Sequence, residues 1–270
     1  TSTTSVKKAL EDLHSNWQLS PAGYTRLDRA LEELQPLAVA VCSPWRHHAE
    51  QLAEVAAAGC HCLVEKPLVW PASAGTVDAL LTSFERRGLL LQLVDQWPGS
   101  LREFCQLHGK LPATIDRFRM RLSPISLGPD MLTDSAPHFL GLLHALCGPG
   151  DCEDVQLITG TDTSGDPGLQ LDCRYHHERG SCKATLVLRT QVRRPRPAWY
   201  EINGVRVDRE VELPGYRQYL ASADRRVPLA DPMRSVTASF AARLAAGETD
   251  AGQNLRIRQR NLQQLAEAIR

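Results

Sequence analysis

Lys66 stands in Glu65-Lys66-Pro67, directly behind the apolar run Cys62-Leu63-Val64. A strand ending in this tripeptide places an ammonium at the carboxyl edge of a sheet, where open α/β sheets receive ligands. Pro67 fixes its own φ and restricts the residue before it, so Lys66 sits on a stiff turn. A stiff turn suits a group that must meet a reacting atom. A second set lies in Leu132-Thr-Asp134-Ser-Ala-Pro137-His138, followed by an apolar stretch to Cys147 and then Gly148. Pro137 suits a first helical turn, with Asp134 or Ser135 as its cap. That reading puts His138 in the opening turn of a helix, where the dipole keeps an imidazole neutral. A neutral imidazole can accept a proton as a general base, and Asp134 can orient it or a substrate hydroxyl. From the residues alone two plainer readings stay open. Glu65-Lys66 can be a solvated ion pair at a strand end, and Asp134 an N-cap beside a surface histidine.

The surrounding pattern supplies elements to hold these groups. Residues 37–42 form a continuous apolar run, as expected of a strand buried on both faces in a parallel sheet. The run breaks at Ser43-Pro44, and a helix is predicted over 49–58, followed by the strand 62–64. This is a βαβ unit. Residues 89–94 read as another buried strand, and 6–15 and Leu27–Leu34 as helices. After Ser100 the pattern changes. Leu101–His108 reads as a short helix, and 113–122 alternates as a half-exposed strand whose solvated face carries Arg117, Arg119 and Arg121. Further strands are predicted over 169–175, 181–190 and 198–211, with turns at Gly180 and Asn203-Gly204. Helices over 236–244 and 255–269 follow. The expected architecture is a Rossmann-like parallel-sheet domain over residues 1–100. An α+β domain with a largely antiparallel sheet follows over 101–270.

The order of apolar strand, Ser43-Pro44, His48, Gly59 and Glu65-Lys66-Pro67 resembles the Gfo/Idh/MocA family of sugar and inositol dehydrogenases, which includes glucose-fructose oxidoreductase. Asp134 and His138 match that family's Asp-x-x-x-His motif. The resemblance implies hydride transfer between a nicotinamide cofactor, NAD or NADP, and a sugar-like or cyclitol-like alcohol or ketone. It implies Lys66, Asp134 and His138 as catalytic residues. It implies Ser43, Pro44, His48, Glu65 and Lys66 as the cofactor edge. Three departures stand out. Ala136 and Gly141 replace a glycine and an aspartate that the family often has, and Gln96-Trp97 falls where it usually has Asn-x-Arg-Phe. No Gly-x-Gly-x-x-Gly loop occurs, so the first domain reads as N-terminally incomplete. Dinucleotide is then expected to bind at least about tenfold more weakly than to a chain extended upstream by a strand and glycine loop. Thr1-Ser-Thr-Thr4 and Lys7 offer no acidic partner for a ribose diol, which leans toward NADP. The alternative is a non-catalytic or cofactor-free relative acting as a binding or partner subunit.

Composition narrows the remaining classes. Among 270 residues, 31 basic and 31 acidic side chains cancel, leaving no global field for nucleic acid or an anionic membrane. No apolar run approaches the roughly 20 residues of a membrane span. The opening residues are polar, without a signal-peptide pattern, and a cytoplasmic location is expected. The eight cysteines include no Cys-x-x-Cys pair, and Cys173 and Cys182, flanking a hairpin, are expected as reduced thiols. His47-His48 and His176-His177 lack the spacing of a zinc helix and a third ligand, so no metal is expected. The expected partners are a small-molecule substrate and a second copy of the chain. The antiparallel sheet would form that dimer face, with 186–188 as a candidate strand.

Overall fold

The computed structural model describes residues 2–71, 73–161, 167–250 and 252–269. The first half holds α1 (Thr3–Trp17), α2 (Leu27–Leu34), β1 (Ala38–Val41), α3 (His48–Ala57), β2 (His61–Val64), α4 (Ala74–Arg86) and β3 (Leu91–Leu93). The three strands form a parallel sheet in the order β1-β2-β3. Cys62 and Val64 are fully buried and Leu63 nearly so, which is what an apolar run covered on both faces requires. Gly59, at φ +75°, turns the chain from α3 into β2 in a conformation that side chains resist. One face of the sheet packs under α3 and α4 through Leu52, Val55, Leu81 and Phe84.

The second half holds α5 (Leu101–His108), β4 (Arg117–Leu122), α6 (Asp130–Cys147), β5 (Gly150–Thr161), β6 (Pro167–His177) and β7 (Gly180–Arg189). Next come β8 (Ala198–Ile202), β9 (Val205–Glu212), β10 (Arg217–Ala221), β11 (Arg226–Pro228), α7 (Pro232–Ala245) and α8 (Gln253–Glu267). Eight strands join in the order β11-β10-β9-β8-β4-β7-β6-β5, antiparallel except where β4 runs beside β7. Phe118, Met120 and Leu122 face the core under α6, while Arg117, Arg119 and Arg121 face away, as the alternation predicts. The predicted segment 198–211 is the hairpin β8–β9, turning at the expected Asn203-Gly204. Asn203 folds the chain back at φ +49°, its side chain accepting from the amides of Asp116 and Arg117 and donating to the Thr114 carbonyl. Leu186 and Leu188 are fully buried in the core, so the outward face of that candidate dimer strand is Thr185 and Val187.

The division near residue 100 separates the two sheets and their two main cores, but a third, smaller apolar cluster crosses it. Helix α7 returns to the parallel sheet, where Phe240 packs with Leu63, Leu90 and Val94. Helix α8 lies across the junction. Arg256 pairs with Asp78 and Glu85 of α4, and Gln259 donates to the Val69 carbonyl at 2.7 Å. On the other side, Asn261 accepts from the Cys152 amide and donates to the Gly150 carbonyl of β5. Between these, Arg258 binds Asp95, just past β3, at 3.0 Å, with both side chains largely buried. The Asp95 carboxylate lies against Gly141 of α6, where an added Cβ would fall 2.0 Å from Oδ2. A methyl group at 141 must therefore displace the carboxylate and strain its ion pair. Gly141→Ala is expected to lower stability by about 1–3 kcal/mol, read as a reduced urea midpoint at an unchanged slope.

Candidate active site

The carboxyl ends of the three parallel strands form one edge. Ser43 and Pro44 follow β1, Glu65 and Lys66 follow β2, and Asp95 follows β3. Two turns on this edge are held by one imidazole. His48 is fully buried, with Nδ1 2.8 Å from the Pro67 carbonyl and Nε2 2.9 Å from the Ser43 carbonyl. Both ring nitrogens are thus engaged by backbone, and no polar atom of His48 is left to touch a cofactor. The geometry gives it a different part from the one the resemblance implied, namely setting the Ser43-Pro44 turn against the Lys66-Pro67 turn. Pro44 is exposed, and the Ser43 hydroxyl is engaged by Gln51. The Glu65 carboxylate accepts from the Lys66 amide at 3.2 Å.

Lys66 reaches from this edge to the second domain. Its Nζ donates to Asp134 Oδ1 at 2.7 Å and to the Asp134 carbonyl at 2.9 Å. The local structure of α6 differs from the sequence expectation. The helix begins at Asp130, so Pro137 is an interior proline and His138 lies in mid-helix, not in the first turn. The reason is that Gly128-Pro129 stops the preceding loop early, and buried Met131, Leu132 and Thr133 draw the earlier residues into the helix. Pro137 has no N–H for the carbonyl of Thr133, four residues back. In this loosened turn, the neighbouring carbonyl of Asp134 has an ammonium partner.

Asp134 and His138 line one cavity of about 200 Å³ in the second half, closed on one side by Gln96 and Trp97 just past β3. Its walls include Gln96, Trp97, Ser123, Ser135 and Tyr216. His138 is partly buried, and its Nδ1 is fully buried with no hydrogen-bond partner among the described residues. The ring is neutral for a reason other than a helix dipole. Burial first, then the nearby cations Lys66, Arg209 and Arg258, hold it down at about 3, against a partial opposing pull from Asp134. Burial pushes the Asp134 carboxyl up, but Lys66, His138 and Arg196 outweigh it and hold the group below the ordinary range. Lys66 meets Asp134 by direct contact, and Asp134 and His138 line one cavity whose lining does not include Lys66.

Several residues of the site were not singled out by the sequence. Asp95 supplies a carboxylate against Gly141, the position where the resemblance leads one to expect an aspartate on the helix. One of its oxygens is held by Arg258, and Oδ1 is buried without a partner among the described residues. Burial raises its pKa against the pull of Arg258. Trp97, part of the Gln96-Trp97 departure, is 6% exposed and forms a cavity wall with its ring edge-on to Tyr200. Arg194, Arg196 and Arg209 also line the cavity. A signal for the first two was present in Arg193-Arg-Pro-Arg-Pro197, guanidinium groups set on proline-stiffened turns between strands. Arg209 carried none, being one of several arginines in a strand.

The paired histidines do other work. His176 lies 3.6 Å from Glu153 across β5 and β6, and no group of three His, Cys, Asp or Glu side chains among the described residues is placed to hold a metal. All eight cysteines are free thiols. No helix among the described residues is long and apolar enough to cross a membrane.

Comparison with known proteins agrees with this geometry. Residues 3–94 match the Gfo/Idh/MocA family model, described as an oxidoreductase family with an NAD-binding Rossmann fold. No curated protein matches the chain by sequence. UDP-N-acetylglucosamine 3-dehydrogenase from Acidithiobacillus ferrooxidans superposes with a TM-score of 0.70 at 19% identity, over 98% of this chain and 87% of that one. A probable dehydrogenase from Thermotoga maritima gives 0.67 at 16% identity, over 97% and 86%. A Gfo/Idh/MocA family oxidoreductase from Vibrio cholerae gives 0.65 at 18% identity, over 97% and 85%. The short parallel sheet followed by the eight-stranded sheet is the fold of these Gfo/Idh/MocA structures, and residues 3–94 match that family's model.

Proposed function

We propose that the protein is a nicotinamide-dependent dehydrogenase or reductase acting on a sugar-like or cyclitol-like alcohol or its ketone. The observation that carries this reading is the contact of Lys66 with Asp134, which lines one cavity together with the neutral His138. Ser43, Pro44, Glu65 and Lys66 fit the nicotinamide and ribose end of a dinucleotide, because they line the carboxyl edge of a parallel sheet. Among the described residues no glycine-rich loop leads from a strand into a helix, so none is assigned to the pyrophosphate. A bound nicotinamide would supply the hydride acceptor or donor.

The chain's own residues handle the proton and the charge. Neutral His138 faces the cavity and can take a hydroxyl proton. The Lys66 ammonium stabilises negative charge developing on the substrate oxygen, and Asp134 aims that ammonium. Because His138 is held so low, it does not keep a proton at neutral pH and must hand it on. The Lys66–Asp134 pair is the adjoining route. Thr3, Thr4 and Lys7, without a carboxylate among them, support NADP over NAD. Eight free thiols support a reducing compartment such as the cytoplasm.

Two measurements test these roles. With NADP or NAD and a panel of sugars, cyclitols and sugar acids, Lys66→Met and His138→Ala are each expected to lower kcat by about 10²–10⁴. Cofactor affinity should change far less. Variants that weaken cofactor binding while sparing turnover would make these residues binding groups instead.

The second measurement follows proton linkage. Unfolded, His138 titrates near 6.5, and folded near 3. Between these values the unfolded chain binds the proton and the native one does not, so stability from this site is complete above 6.5 and falls as pH drops toward 3. Urea unfolding across that window should show a steeper acid loss in the natural protein than in His138→Gln. Parallel pH profiles would show that the ring is not held neutral.

A further inference from the structure

The cavity that holds Asp134 and His138 is unbalanced in charge. Its charged lining is Asp134, Arg194, Arg196 and Arg209. The single carboxylate already accepts from Lys66. None of the three arginines has a carboxylate partner among the described residues. On the same sheet, Arg206 is paired with Asp208, and Arg226 with Glu210 and Glu212. Arg119, Arg121 and Arg189 of the sheet also lack a carboxylate among the described residues, so what sets the cavity apart is that three unpaired arginines line one concave space.

Arg209 is the sharpest case. Its Nε is buried with no hydrogen-bond partner among the described residues. Its guanidinium lies 5.4 Å from the centre of the Trp97 ring, which fixes its plane. Burial and the like charge of neighbouring Arg196 both disfavour its charged form. Arg194 lies over the Tyr216 ring at the cavity mouth, 5.9 Å from its centre. A buried cation without a counter-ion is costly unless something completes it. Two guanidinium forks beside one cavity match a planar or tetrahedral oxyanion. The cavity, at about 200 Å³, is below the usual range for drug-sized ligands, so the molecule that completes it is small.

We infer that the substrate is a small polyol or sugar bearing an oxyanion, a carboxylate or a phosphate, which Arg209 and Arg196 receive in the cavity that presents its hydroxyl to His138. This deepens the dehydrogenase reading and rests on it for the hydroxyl alone. The anion fixes one end of the molecule, and the reacting carbon then lies at a set distance from the Lys66–Asp134 pair.

The test is a calorimetric titration without nicotinamide, using glucose, glucuronate and glucose 6-phosphate as probes. At least one charged sugar should bind about tenfold or more tightly than glucose, the scale of one lost charge-assisted hydrogen bond. Whichever is preferred, carboxylate or phosphate, identifies the group. The preference should disappear in Arg209→Met, which keeps the packing stem, and shrink in Arg196→Gln, which lies in a loop and leaves the core alone. Circular dichroism confirms that each variant is folded. Equal binding of neutral and charged sugars overturns the inference, as does a preference that survives both substitutions. Because the readout needs no hydride transfer, a missing turnover would count against the dehydrogenase reading and leave the anion site standing.

Discussion

The bond from Lys66 to Asp134 joins an ammonium on one domain to a carboxylate on the other, and every part of the site is placed relative to it. It cannot be what holds the domains together. Asp134 is 48% exposed, and pairs in that setting contribute about 0–1 kcal/mol. The domains are held by α8. Leu262 and Leu265 are buried in the larger core, at about 1.5–3 kcal/mol each. Its polar side chains engage α4, the Val69 carbonyl, Asp95 and β5 in turn. With the frame fixed elsewhere, the Lys66–Asp134 pair is free to rearrange around a substrate at little cost. A strong structural pair would be a poor catalytic one, because its charge would be spent before the substrate arrived.

The electrostatics of the cavity follow from that frame. Four cations lie near one imidazole and one carboxylate: Lys66, Arg196, Arg209 and Arg258. Two of them are committed, Lys66 to Asp134 and Arg258 to Asp95. Burial first, and then the field of Lys66, Arg209 and Arg258, keeps His138 neutral, whereas a terminal dipole acts only within its own first turn. The same field favours any negative charge that develops on a bound oxygen. Under the proposed function, one arrangement of cations would serve two ends, a neutral base and a stabilised oxyanion.

Much of this was legible in the sequence where one side chain pattern had one physical solution. The runs at 62–64 and 89–94 are strands largely covered on both faces. The run at 37–42 instead holds the edge strand β1, with Leu37 71% exposed and Ala40 and Cys42 open to solvent, because among the described residues no fourth strand or further helix covers that side. The alternation of Phe118, Met120 and Leu122 with three arginines left only one inward face. Asp134 and His138 were found by spacing, but the helix start was not. Pro137 is an acceptable first-turn residue, and nothing local shows that burial of Met131 and Leu132 would carry the helix seven residues further back. Strands β5, β10 and β11 were missed because they are outer strands of the sheet, at or next to its two ends, with much of their surface polar or exposed, so no clean alternation marks them. The role of Arg209 was invisible. Its burial over Trp97 is a product of how β9 meets the end of β3, and neither sequence neighbourhood records the other.

Asp95 and Gly141 are fitted to each other across the two halves of the chain. The resemblance leads one to look for a carboxylate on the helix three residues after His138, and that position is glycine. The space is not empty, because the carboxylate of Asp95 enters it from the end of β3. The exchange is coupled. Asp95 fits only because residue 141 has no side chain, and an aspartate at 141 would put two carboxylates in one volume with a single arginine to balance them. Arg258 makes the relocation stable by closing the charge on the far side. Read along the chain, Gly141 weighs against an active site. Read in space, the volume beside Gly141 holds an acid carried from the end of β3. Asp95 lines the cavity adjoining the one with His138, and Arg258 of α8 ties it to the helix that bridges the two sheets.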